Sequence, residues 1–265
     1  MESEREIGTV ALRVHALNAY HLEHPDQPFL KEIRFEVRHG EILGIAGLMG
    51  AGRTELLKTI FGAYPGRWAG EIFIDGVQVR IHSPHDAIRY GMGLVSEDRK
   101  RYGLILDADV VQNMTLASLN QENACIAPHG IINQNEALHQ SNRYIESLRI
   151  RAPSREMPVS HLSGGNQQKV ILGKWLMTQP QILFLDEPTR GIDVGAKAEI
   201  HKLIAQLACQ GVAVVMVSSE LPEILGMSDR VIVLHEGQLT GTFINNGLTQ
   251  EEILRCAAGR RGLDG

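Results

Sequence analysis

Cysteine is scarce in this chain of 265 residues: Cys125, Cys209 and Cys256 are the only three. They stand far apart, which excludes a disulfide framework and the close spacing of a thiolate metal site and fits a reducing compartment. Basic charge is not in excess. The 26 Lys and Arg against 31 Asp and Glu give a formal charge of −5, so no general basic field invites nucleic acid. Long apolar runs are missing too; Val212–Val217 falls far short of the ~20 residues a membrane helix needs. The opening MESEREIG is charged and holds no apolar core for a signal peptide. There is no internal repeat and no low-complexity tract, and the eleven histidines form no metal-ligand pattern. With 43% hydrophobic and 22% charged residues, the composition is that of a globular protein. Its length allows one large domain or two small ones at roughly 150 residues each. If the protein serves a membrane, it does so from a partner's surface.

Residues 1–9 are polar and read as a tail or linker, and 256–265 as a C-terminal tail. Leu12, Val14 and Leu17 alternate with polar residues, as do Ile33, Phe35 and Val37, which predicts half-buried antiparallel strands. An apolar run, Glu41–Ala46, then enters a glycine-rich segment, and Thr54–Phe61 has helical spacing. Asp75-Gly76 sits between two short strands, a hairpin signal. Residues 98–160 are more polar, with a helical patch at Glu136–Arg149, and read as an inserted helical subdomain. Beyond it, helices at Gln167–Met177 and Ala196–Cys209 alternate with strands at Ile182–Leu185, Val212–Val217 and Val231–Leu234. That alternation predicts an α/β fold with a mostly parallel sheet.

Gly47-Leu48-Met49-Gly50-Ala51-Gly52-Arg53-Thr54 follows a strand and opens a helix, the context of a phosphate-binding loop. Glycines let backbone N–H groups close around phosphate oxygens, the helix N-terminus adds partial positive charge, and Thr54 offers a hydroxyl to Mg²⁺. Arg53 stands where such loops carry lysine, and its planar fork is not an equivalent of an ammonium. Further on, ILFLDE is an apolar strand ending in two carboxylates. Asp186 suits the Mg²⁺ shell, directly or through water, and Glu187 suits a general base acting on water. Asp186 follows Thr54 by 132 residues, room for the inserted helices.

The most specific stretch is His161-Leu162-Ser163-Gly164-Gly165-Asn166-Gln167-Gln168-Lys169. LSGGNQQK at a helix start, some 20 residues before LDEPT, resembles the signature of ABC-type ATPases. With it, GEILGIAGLMGAGRTEL, SEDRKRYGL, LDEPTRGIDVGAK and SSELPEILGMSDRVIVLHEG are similar to the second, C-terminal nucleotide-binding half of the double-length ATPases of monosaccharide importers. YPGRWAGEIFIDG is most like the xylose-type members. The resemblance spans about residues 10–255. It implies a P-loop NTPase of ABC type: a mostly parallel core sheet, an antiparallel β subdomain on the adenine side and the inserted helical subdomain. It implies ATP or ADP with Mg²⁺, bound by residues 47–54 and Glu55. Ser163, Gly164, Gly165, Asn166, Gln167 and the D-loop Asp193 then serve a nucleotide sandwiched head-to-tail between two domains. Tyr20 would stack on adenine or else belong to the core. The implied partners are an N-terminal ATPase half, membrane permease subunits met through the Q-loop and helical subdomain (Leu104–Met114 in particular) and, indirectly, an extracytoplasmic sugar-binding protein. The implied location is the cytoplasmic face of the inner membrane.

Three positions depart from the family pattern. Besides Arg53, Glu97 falls where the Q-loop glutamine sits, bringing negative charge to the metal and γ-phosphate region; whether it holds Mg²⁺ or water stays open. Ser219 falls where the switch histidine sits, so the contact orienting water, γ-phosphate and Glu187 is expected to be missing. Such a loss costs about 10²–10⁴ in rate. The expectation is therefore a half whose own site binds nucleotide but turns over slowly, while its signature completes the site of the other half. A nucleotide-binding module that only regulates dimer closure is the second hypothesis. A soluble ABC ATPase of DNA repair or translation is the third, and the coiled-coil insertions or basic patches it predicts are absent from the sequence.

Overall fold

The computed structural model describes residues 5–119, 126–127, 131–154 and 156–260; Cys125 and the outer parts of both tails lie outside this set. Two sheets share one hydrophobic core. The first is four-stranded and antiparallel, ordered β2-β1-β4-β5, from β1 (Val10–Tyr20), β2 (Pro28–Arg38), β4 (Trp68–Ile74) and β5 (Val77–Val79). The Asp75-Gly76 turn falls where the sequence places it, with both residues at positive φ.

The second sheet is six-stranded, ordered β10-β9-β3-β8-β7-β6. Its parallel strands are β3 (Ile42–Gly47), β6 (Met92–Val95), β7 (Ile182–Asp186), β8 (Ala213–Val217) and β9 (Arg230–His235). Each reads as an unbroken apolar run because helices or the other sheet cover both its faces. The antiparallel edge strand β10 (Gln238–Ile244) has no such run, and its weak alternation hides it in the sequence. Parallel register aligns the strand ends: Ile45 pairs with Val217, Asp186 with Val217 and Val95 with Leu185. Loops as far apart in sequence as those of Arg53 and Ser218, 165 residues, thus leave one carboxyl edge of the sheet, where open α/β folds build their sites.

Helices α1 (Arg53–Ile60) and α2 (Pro84–Arg89) follow β3 and β5. A π-helix at Arg99–Gly103 leads to α3 (Val110–Thr115) and α4 (Gln134–Ser147). Helix α5 (Gly164–Leu176) is buried on nearly every side, against α3 and α4 on one face and β6 on the other. The helical layer thus includes α5 and extends past the predicted end at residue 160. Helices α6 (Val194–Cys209), α7 (Leu221–Met227) and α8 (Gln250–Ala257) complete the fold.

Both predicted tails are shorter than expected. Arg5 pairs with Asp229 and Gly8 N–H donates to the His39 carbonyl at 2.8 Å, so residues 5–9 are fastened to the body. At the other end Cys256 and Ala257 are buried in α8; they close an amphipathic helix rather than begin a tail. Among the described residues, no helix is long and apolar enough to cross a membrane.

Candidate functional site

The loop after β3 is shaped by glycine. Gly50 and Gly52 have φ of 79° and 96°, values open to glycine at little cost. Gly52 is the N-cap of α1 and supplies no side-chain cap, so the first turn keeps N–H groups for an anion. Leu48 and Met49 point outward, Met49 at 98% exposure, so only their backbone can face a phosphate. Ala51 is buried and its N–H donates to the Leu48 carbonyl at 3.1 Å, closing the loop on itself.

Thr54 Oγ1 donates to Asp186 Oδ1 at 3.1 Å. Asp186 is 1% exposed. Burial is the main influence and pushes its carboxyl up to about 6; the Thr54 bond opposes this and the neighbouring Glu187 charge adds to it. A hydroxyl beside a desolvated carboxylate is a hard oxygen pair of the kind Mg²⁺ takes, so these two residues fit the ion. Glu187 sits at φ 51°, unusual for a residue with a Cβ. Its N–H donates to the Val217 carbonyl at 2.9 Å, and its Oε2 accepts from Ser219 Oγ at 3.0 Å. The loop at the switch position therefore still reaches Glu187 through a hydroxyl, so the contact to Glu187 expected to be lost with histidine is retained by serine.

Arg53 donates from Nη1 to the Ser218 carbonyl at 2.8 Å, and its Nη2 lies 4.0 Å from Glu187 Oε1. Ser218 is itself held. Its Oγ donates to Glu223, which also receives Thr189 Oγ1 at 2.7 Å and lies against His201 Nε2. Burial pushes the Glu223 carboxyl up, and the hydroxyls of Ser218 and Thr189 with His201 outweigh it, leaving it below the usual carboxylate range. The sequence reading passed over this buried support; the glutamate in SSELPE was its only trace.

Glu97, for which the sequence leaves Mg²⁺ or water open, makes no described hydrogen bond to Thr54 or Asp186. Its carboxylate pairs with the Arg190 guanidinium across a 470 Å³ cavity that Asp98, Arg99 and Gly191 also line. Arg190, which stands within the LDEPTRGIDVGAK stretch, gives this carboxylate a basic partner that the sequence alone does not pair with it. Tyr20, for which the sequence leaves adenine stacking or the core open, has the Arg67 guanidinium 4.4 Å from its ring centroid and is not among the residues that line the cleft beside the phosphate loop. The 730 Å³ cleft beside the phosphate loop is lined instead by His21, Phe29 and Tyr64, with Glu55, Gly50 and Gly237. Phe29 lies 5.1 Å from His21 and 5.2 Å from Tyr64, ring centre to ring centre, and Tyr64 O–H donates to the Tyr20 carbonyl at 2.9 Å. These rings converge from three separate segments, so no local pattern announces them.

The signature residues take no part in the wall of that cleft. Ser163 is exposed at the N-cap of α5. Its Oγ accepts from the Asn166 N–H at 3.4 Å and from Asn166 Nδ2 at 3.0 Å, while Asn166 Oδ1 accepts from the Arg151 N–H at 2.9 Å. Gln167 is buried and donates to the Val159 carbonyl at 3.0 Å, so its side chain is structural, contrary to the expected ligand contact. Asp193 Oδ1 caps α6 by accepting from Ala196 N–H at 3.0 Å. Gly165 is packed so tightly that a Cβ would lie 2.6 Å from the Ala196 Cβ. Ser163 and Gly164 remain as the accessible tip.

A glycine-built anion loop, a hydroxyl–carboxylate pair at the end of β7 and a capped helix presenting Ser163 define an ATP-binding cassette. The sequence model of the family described as ABC transporter matches residues 30–190, and the chain belongs to that family as an ATPase domain. It is 51% identical over 252 residues to the "Xylose import ATP-binding protein XylG" of Moorella thermoacetica, covering 95% of this chain and 49% of that protein. It is also 51% identical over 253 residues to the "Ribose import ATP-binding protein RbsA" of Geobacillus kaustophilus, covering 96% of this chain and 49% of the relative. The chain spans about half the length of the curated relatives it matches. Among solved structures it resembles a nucleotide-free ATP-binding cassette from an ABC transporter, with TM-score 0.77 and 20% identity over 90% of this chain and 93% of that one. It also resembles the ADP conformation of MJ1267, an ATP-binding cassette, with TM-score 0.75 and 20% identity over 94% and 95%. At this identity the likeness establishes the fold.

Proposed function

We propose that this chain binds and hydrolyses ATP to energise import of a monosaccharide of the xylose class through an ABC transporter. Its signature completes a composite nucleotide site with the loop of another ATPase half. The name of the XylG relative supports the sugar class. The observation that carries the mechanism is the separation between the exposed Ser163 at the tip of α5 and the cleft that the phosphate loop lines. A serine hydroxyl at a helix N-terminus suits a γ-phosphate, and one turned away from its own cleft suits the γ-phosphate of another.

In this chain's own cleft, the amides of 50–55 would cradle the phosphates, and His21, Phe29 and Tyr64 would cover the base. Thr54 and Asp186 would hold Mg²⁺, which supplies charge neutralisation on the β- and γ-oxygens when bound. Glu187 accepts the proton of the attacking water, with Ser219 fixing its carboxylate. Arg53 must leave the Ser218 carbonyl to meet a phosphate, and that exchange, with a serine at the switch position, supports slow turnover in this site. Permease subunits would dock on the segment Glu97–Met114 and the helical layer at the cytoplasmic face of the inner membrane, with a sugar-binding protein acting on the permease from the other side. Nucleic acid is not among the proposed partners.

The test is turnover in the assembled transporter. Ser163→Arg should abolish most ATP hydrolysis, roughly the 10²–10³ typical of losing one transition-state contact, while Glu187→Gln should cost severalfold less. Equal losses from the two substitutions would refute the asymmetry.

A further inference from the structure

The π-helix Arg99–Gly103 is gripped at both ends by α5. At its start Arg99 Nη1 donates to the Gly164 carbonyl at 3.0 Å. At its end the Gly103 carbonyl receives Lys174 Nζ at 2.6 Å, from a lysine buried in the same helix. Between them there is no slack: a Cβ on Gly103 would lie 2.7 Å from the Ile171 Cδ1. Asp98 fixes the turn, its Oδ1 accepting the N–H groups of Lys100 and Arg101 at 3.1 and 3.0 Å. π-Turns are rare and gather at functional sites; this one is fastened to α5 at both ends.

The same guanidinium reaches a third segment. Arg99 Nη2 donates to the Gly191 carbonyl at 3.4 Å, and the preceding residue, Arg190, pairs with Glu97. Three stretches distant in sequence therefore meet at one side chain: the exit of β6, the N-terminus of α5 and the loop after β7. No carboxylate bonds Arg99 itself among the described hydrogen bonds; it spends its fork on two carbonyls, and burial lowers its pKa. A planar fork serves two carbonyls at once where an ammonium serves as a single point. Gly164 and Gly191 approach closely at this junction, with a Cβ on Gly164 placed 3.2 Å from the Gly191 carbonyl.

We propose that Arg99 is a positioning residue that registers the signature tip at Ser163–Gly164 against the Gly191 loop, so that the membrane-facing segment 97–103 and the acidic strand edge jointly set the angle at which Ser163 meets a second half's triphosphate. This rests on the composite-site reading above. Arg99 is the contact that links this segment directly to the N-terminal turn of α5, while Lys174 holds the Gly103 end near the other end of the same helix.

The test uses the natural protein that carries this chain, assembled with its permease. Two variants are compared with wild type: Arg99→Ala, and Arg99→Lys, which keeps the charge and is the decisive variant if the alanine protein does not fold. Two quantities are read, deuterium uptake at residues 164–168 and the split of ATP turnover into kcat and KM. Arg99→Lys is expected to raise uptake at 164–168 with uptake in the β1–β2 strands unchanged. It should lower kcat by about tenfold, and alanine by up to about a hundredfold as expected for a misplaced contact, with KM held within about twofold. Unchanged uptake at 164–168 in the lysine variant overturns the inference, as does uptake that rises equally across β1 and β2. Ser163→Arg in the same preparation separates the two claims. If it leaves turnover intact, the composite-site reading is wrong; if it stops turnover while Arg99→Lys leaves kcat intact, that reading stands and the role of Arg99 does not.

Discussion

Asp186 shows how a single side chain is held in a costly state at the proposed Mg²⁺ site. Its carboxyl titrates near 6 because burial, first of all, disfavours the charged form. The folded chain thus binds this proton more tightly than the unfolded chain, for which the ordinary value is 3.8. The sign follows: the cost of the charge is absent below pH ~4, grows as pH rises through the window up to about 6 and is fully present at neutral pH. Asp186→Asn keeps an acceptor for Thr54 and removes the charge. It should stabilise the nucleotide-free protein by about 1–3 kcal/mol at pH 7.5 and by little at pH 4, while Mg²⁺-dependent nucleotide binding falls. Denaturant unfolding at the two pH values checks this; a gain that does not grow with pH would contradict the burial argument. At this scale the sequence was legible where chemistry is carried by consecutive residues, as in Arg53-Thr54 or Asp186-Glu187. It was silent where a partner comes from elsewhere: Arg190 for Glu97, Arg67 for Tyr20 and His201 for Glu223 all arrive through tertiary contacts.

Among elements, the helical layer depends on one buried amide. Asn113 in α3 accepts the Ile105 N–H at 2.8 Å and donates to the carbonyls of Ile105, Ala108 and Asp109 at 3.0, 3.2 and 2.9 Å. It thereby folds the turn 105–109 onto the helix that follows. Asn113→Ala leaves these groups partly unpaired and should destabilise the protein by about 2–3 kcal/mol, with hydrogen exchange rising first at 105–109. Loss confined to other parts of the molecule would show that the amide is not what holds this turn. The parallel strands β3, β7, β8 and β9 are legible in the sequence because continuous burial writes itself as a continuous apolar run. Strand β10 and helices α7 and α8 are not. An edge strand with a glycine at 241, a seven-residue helix with proline in its first turn and an eight-residue C-terminal helix give windows too short or too mixed for periodicity to register. The cleft rings at 21, 29 and 64 were missed for a related reason: His21 follows β1, Phe29 lies in β2 and Tyr64 follows α1, and only the fold assembles them.

Across the whole molecule, the two sheets are tied by a charge. Glu41, its side chain 2% exposed, takes Arg230 Nε at 2.6 Å on one oxygen and the Arg38 N–H at 2.7 Å on the other; Arg230 also donates to the Glu36 carbonyl. Strand β2 of one sheet and β9 of the other therefore share this ion pair. Glu41→Ala strands a guanidinium that is 30% exposed, so the loss should be about 2–3 kcal/mol, below the 3–5 of a fully buried pair. A lowered unfolding midpoint with unchanged nucleotide affinity just below it is the expected result. The antiparallel sheet carries part of the cleft wall, at His21 and Phe29, and the parallel sheet carries the phosphate loop, but neither Glu41 nor Arg230 lines that cleft, so the loss falls on stability.

The backbone at Glu187 has a consequence for the lineage as well as for the reaction. A left-handed turn is cheap for glycine or asparagine and dear for most other side chains. Random replacement toward either would relax the chain and delete the proposed base in one step, so on that proposal erosion of catalysis here runs downhill for folding. A glutamate at this corner is held against the preference of its own peptide, and a paralogue freed from the need to split ATP would be expected to lose it early.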